Sequence, residues 1–78
     1  MDMKSVYIIL GKDVSKEIVK QELVEEGYKY YFYFQTKDDD HKEYHMTKAD
    51  EIWVFGDVTE NEDSILAQNL GLDIWVMG

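Results

Sequence analysis

His41-Lys42-Glu43-Tyr44-His45-Met46-Thr47-Lys48-Ala49 is the stretch on which the architecture turns. Read as a short helix, with Tyr44 and Lys48, or His41 and His45, one turn apart, it is a true crossover between two strands. Read as a loop, it only joins neighbours. The flanking segments argue for the helix. Asp50-Glu51-Ile52-Trp53-Val54-Phe55-Gly56 and Asp73-Ile74-Trp75-Val76-Met77-Gly78 share one pattern of acid, Ile-Trp-Val, bulky apolar residue and glycine. Both read as buried strands. Val6-Tyr7-Ile8-Ile9-Leu10, ending at Gly11, is a third continuous apolar run. Runs without inside/outside alternation suit strands covered on both faces, as in parallel sheets.

Residues 13–26 carry Val14, Ile18, Val19, Leu23 and Val24 as an apolar stripe among charges, with Asp13 or Ser15 able to cap the start and Gly27 placed as a stop. Residues 60–70 read as another helix, turning Ile65, Leu66 and Leu70 inward, with acids in its first turn and Gly71 past its end. Tyr28-Lys29-Tyr30-Tyr31-Phe32-Tyr33-Phe34-Gln35 has high strand propensity, and its hydroxyls favour an edge or face near water. Residues 36–40 form a polar, acidic loop. Right-handed crossovers then give an α/β fold, a minimal flavodoxin-like four-stranded parallel sheet of order 2-1-3-4 with flanking helices. The alternative, with no crossover helix, is the ferredoxin-like βαββαβ motif and an antiparallel sheet.

At 78 residues the chain has room for one domain, spanning 1–78, near the lower limit for folding without staples, and it has no cysteine to supply a disulfide or thiolate metal site. Its 45% hydrophobic and 14% aromatic content is enough for a compact core built largely from big side chains. Seventeen acidic residues against eight basic ones give a net charge of -9, which opposes direct binding to nucleic acid or anionic membranes. A small ligand or a basic protein partner fits that balance better. No apolar run is long enough to span a membrane, and the first ten residues are too short and acidic for a signal peptide, so a cytoplasmic protein is expected.

In a doubly wound sheet the ligand crevice lies beyond the carboxyl ends of the strands where the order reverses, here between the first and third. Two loops meet there. Gly11-Lys12-Asp13-Val14-Ser15-Lys16 offers Gly11, Lys12 and Ser15 with backbone N–H groups for an anion, although the glycine spacing of a Walker loop is missing. An ordinary capped turn is the competing interpretation. Gly56-Asp57-Val58-Thr59-Glu60-Asn61-Glu62-Asp63 offers Gly56, Asp57, Thr59 and Asn61. Its carboxylates suit a ribose hydroxyl better than a phosphate, and acids are in any case favoured at a helix start.

Ala49-Asp50-Glu51-Ile52-Trp53-Val54-Phe55-Gly56-Asp57, followed by Asp63, Ala67, Gly71 and Asp73-Ile74-Trp75-Val76, resembles the carboxyl half of nucleoside 2-deoxyribosyltransferase-like domains, including small phage and bacterial members. The match is mainly over residues 49–78. The resemblance implies the parallel fold, and it places Asp63, four residues before Ala67, at the family's nucleophile-like position as Asp rather than Glu. It also implies a transferase or hydrolase acting on an N-glycosidic bond. Asn61-Glu62 stands where the family has Ser-Gly, and the early loop lacks the family's Gly-Pro. With this resemblance the expectation is a non-catalytic binding module without a cofactor, taking a nucleoside or nucleotide at residues 11–15 and 56–63, with catalysis through Asp63 as an alternative.

His41 and His45 flank Glu43, but His-Lys-Glu-Tyr-His is not the zinc motif His-Glu-x-x-His, and two exposed polar histidines are expected rather than a metal site. The aromatic strand over residues 28–35 lacks the basic groove of a base-stacking platform and reads better as edge-strand packing or a homodimer seam. Asp38, Asp39, Asp40, Glu43, Glu60 and Glu62 form acidic clusters that would serve as solvated faces. The rival functional class uses these six as a partner surface: an acidic, phage-type inhibitor that copies the charge pattern of a nucleic acid and blocks a protein such as a restriction or CRISPR complex.

Overall fold

The structure, a computed structural model, describes residues 4–35, 40–57, 59 and 61–77. Its elements run β1 (Ser5–Leu10), α1 (Lys16–Glu25), β2 (Tyr31–Phe34), α2 (Lys42–Lys48), β3 (Glu51–Phe55), α3 (Glu62–Asn69) and β4 (Trp75–Val76). Residues 41–49 do hold a helix. With a crossover at each step, the four strands form one parallel sheet of order β2-β1-β3-β4, and the antiparallel alternative is excluded.

β1 sits at the centre, which explains its unbroken apolar run. Val6, Tyr7, Ile8 and Ile9 are all fully buried. Successive side chains point to opposite faces, so Tyr7 and Ile9 join Ile52, Val54, Met46 and Ala67 in one core cluster, while Val6 and Ile8 join Val19, Leu23 and Trp53 in the other. Register pairs Ile8 with Trp53 and Ile9 with Val54, aligning the two buried strands side by side. On the face of the second cluster, Trp53 is packed by Tyr28, Tyr30 and Phe32 at ring-centroid distances of 5.4, 5.6 and 5.7 Å. On the other face Tyr33 stacks between Tyr7 at 5.2 Å and His45 at 4.3 Å, which ties α2 to the sheet. His45 is thus a half-buried packing residue, whereas the sequence suggests an exposed one.

Several sequence expectations need correction. The apolar stripe of α1 narrows to Val19 and Leu23, because Ile18 and Val24 point away from the sheet and are 61% and 72% exposed. The helix begins at Lys16, and Ser15, at its N-cap, makes no side-chain capping bond. In α3 the residues that dock are Ser64 and Ala67, with Leu66 packed at the edge, while Ile65 and Leu70 stay exposed. Small side chains three apart let that helix lie close to the sheet. The regular part of the aromatic segment is only Tyr31–Phe34. The last strand is not buried: Trp75 and Val76 are exposed, because the strand order puts β4 at an edge with a neighbour on one side only. Among the described residues no helix is long and apolar enough to cross a membrane.

Candidate functional site

The strand order reverses between β1 and β3, and there the backbone itself makes the opening. Gly11 continues the pairing past the end of β1, its N–H donating to the Phe55 carbonyl at 2.6 Å. A Cβ on Gly11 would stand 2.9 Å from that oxygen and 3.1 Å from the Gly56 Cα. Gly56 has φ 111°, and a Cβ there would stand 3.0 Å from the Gly11 Cα. Two glycines in contact therefore floor the switch point, each filling the space where the other would place a side chain.

Above that floor lies an open cavity of about 920 Å³. Lys12 and Asp13 reach it from the loop after β1, Asp57 from the loop after β3, and Asn61, Glu62 and Asp63 from the start of α3. Of the residues named from the sequence for this crevice, Gly11, Lys12, Gly56, Asp57, Asn61 and Asp63 line it, as does Glu62, which the sequence reading assigns to the partner surface. Ser15 and Thr59 are not among its lining residues. Val58 and Glu60 lie outside the described residues, as do Asp38 and Asp39 of the acidic partner surface. Asp40, Glu43 and Glu62 of that surface are exposed.

Asn61 is the bracket of the site. Its Oδ1 accepts from the N–H groups of Asp63 at 2.9 Å and Ser64 at 3.3 Å, capping α3, and its Nδ2 donates to the Leu10 carbonyl at 2.9 Å. Such a cap contributes about 1 kcal/mol. Gln35 Nε2 donates to the same carbonyl at 3.3 Å. The ends of β1 and β2 and the start of α3 are thereby pinned to one oxygen.

Asp57 is held differently. Its Oδ1 accepts from the Thr59 hydroxyl at 2.6 Å and the Thr59 N–H at 2.8 Å. The hydroxyl bond, and after it the backbone bond, favour the ionised form and hold this carboxyl below its ordinary value of 3.8. Thr59 is therefore a support for Asp57 rather than part of the wall. A depressed native value means that the associated stability is present above the unfolded-state range and is lost as pH falls through the native value. Thr59→Val removes the larger of the two effects, so the Asp57 carboxyl is expected to titrate closer to its ordinary value. A carbon-detected NMR titration of that carboxyl checks this, and an unchanged midpoint would refute it.

Two lining residues escape the sequence reading. Lys42, the first residue of α2, places its Nζ 3.0 Å from Asp63 Oδ1, with the two side chains 27% and 12% exposed. Gln35, just past β2, lines the crevice as well. The missed signal was topological: in a right-handed parallel sheet every strand-to-helix connection leaves from the carboxyl edge, including the one after β2. Among the described residues no group of three His, Asp or Glu side chains is placed to hold a metal ion. Chemically the crevice offers carboxylates as hydroxyl acceptors, Lys12 as a cation outside the Lys42–Asp63 pair, and a glycine floor that admits a flat group. Comparison with family models, with curated proteins and with solved structures yields no match.

Proposed function

We propose that this chain is a non-catalytic, cytoplasmic binding module that takes a nucleoside or nucleotide in the crevice between β1 and β3. The observation that carries the reading is the cavity at the switch point, floored by the Gly11–Gly56 contact. Asp13 and Asp57 are suited to accept from the hydroxyls of a sugar. Glu62 and Asp63 already complement the α3 dipole and would repel a phosphate, so any phosphate belongs near Lys12. Asp63 is mostly buried and paired with Lys42, which favours a positioning role over that of a free nucleophile. The likeness to nucleoside 2-deoxyribosyltransferase-like domains points to the same ligand class. Pairing of two copies would use the outer edge of β2, where Tyr31 is 65% exposed.

The test is a thermal-shift screen with nucleosides, nucleotides and cyclic nucleotides, run on the native chain and on Asp57→Ala. At 100 times its dissociation constant a ligand adds about 2.7 kcal/mol, or roughly 10–20 °C in a domain of this size. A shift lost in Asp57→Ala supports the proposal. No shift with any compound rejects it and favours the acidic partner surface around Asp40, Glu43 and Glu62, whose probe is charge reversal followed by capture of a basic partner. Turnover of a bound nucleoside, abolished by Asp63→Asn, would instead favour the transferase or hydrolase alternative.

A further inference from the structure

The outer edge of β4 carries a second, independent surface. Among the described residues β4 pairs with β3 alone, and the side chains along it are open, with Trp75 55%, Val76 59% and Met77 37% exposed. The Met77 N–H donates inward to the Val54 carbonyl at 2.9 Å. By strand alternation the N–H and C=O of Val76 point outward. An apolar edge strand with outward backbone groups is a template for one more strand.

Charge indicates what that strand is. At the amino-terminal ends of β3 and β4 lies a cavity of about 310 Å³, bordered by Asp50, Glu51, Asp73 and Trp75, with no basic residue among the described residues of its wall. Asp50 accepts from the Ser5 N–H at 2.8 Å, which turns that carboxylate toward β1 and leaves Glu51 and Asp73 as the acids on the β4 side. Two carboxylates near an exposed indole suit a lysine or arginine side chain, through opposite charge and through stacking of the cation on the ring. Glu51 and Asp73 lie at this end of the edge with no basic residue among the described lining residues, so local charge favours a basic partner over a second copy of this chain.

We propose that the β4 edge docks an extended, basic segment of another protein as a fifth strand. Main-chain hydrogen bonds to Val76 supply register, Trp75 supplies the anchor, and Glu51 and Asp73 select for positive charge. The surface is separate from the crevice, and either can fail without the other.

The experiment titrates the native chain with a capped octapeptide of alternating lysine and valine, against a control of alternating glutamate and valine. Trp53 is only 4% exposed, so quenching by acrylamide reports chiefly on Trp75. Expected results are protection of tryptophan by the lysine peptide, binding at least tenfold tighter than the control, and weakening with salt. The amide shifts in NMR spectra should centre on residues 74–77. Asp73→Asn combined with Glu51→Gln should lower affinity about tenfold, and Val76→Pro should abolish binding by removing the outward N–H. Because Val76→Pro can disturb the strand, the charge variant carries the test if that one fails to fold. The proposal is overturned by no binding, by equal binding of both peptides, by shifts centred on Gly11 and Asp57 or on β2, or by self-association of the chain that protects Trp75.

Discussion

Gly56→Ala is expected to destabilise the fold by roughly 2–5 kcal/mol, combining backbone strain at positive φ with overpacking against the Gly11 Cα. A domain of this size has about 4–12 kcal/mol in total, so the loss is a large share of it. Gly27→Ala is the matched control. Gly27 also has positive φ, at 75°, but nothing stands within 4 Å of the added Cβ, so only the left-handed strain of about 1–2 kcal/mol applies. Urea denaturation of both variants separates the two effects. Equal losses would show that the glycine contact is not constraining, and would remove the reason for reading it as the floor of the site.

Ile8→Ala is expected to cost roughly 2–5 kcal/mol, because Ile8 is fully buried between α1 and Trp53 and its removal leaves a cavity that its neighbours cannot fill. Ile18→Ala should lie within about 0.5 kcal/mol of the native chain, since its side chain is 61% exposed. In sequence both positions read as core. Thermal or urea unfolding of the pair tests the sheet placement directly: a large loss at Ile18 would mean that α1 is rotated on the sheet.

The contrast between those two isoleucines marks where sequence stops being informative. The β1 run was legible because a strand buried on both faces needs every residue apolar, and a continuous run has no other cheap explanation. Helix α1 was legible as a helix but not in its facing, because Ile18, Val19, Leu23 and Val24 span more arc than one docking surface covers. In α3 the misleading feature was size: the larger Ile65 and Leu70 look like the anchors, yet close approach is made by Ser64 and Ala67. Trp75 matched Trp53 in local pattern and differs only in strand position, which no local pattern encodes. The same holds for the crevice. Its glycines and acids follow from the two loops on either side of the reversal, whereas Lys42 and Gln35 enter through the third loop, and the Lys42–Asp63 pair joins residues 21 apart in the chain.

The strand order also has a consequence for how the chain matures on the ribosome. β1 is made first and pairs with β2 through a local crossover, but its other neighbour, β3, is paired from Val6 to Glu51, 45 residues downstream. At about 5–20 residues per second, the interval between completing β2 and completing β3 is roughly 1–4 s. Throughout that interval one flank of the most apolar strand in the protein has bare backbone groups and no partner. Nascent chains whose first 40 residues have emerged should therefore be sticky, recruit chaperones, and lose that property abruptly once residue 55 has emerged.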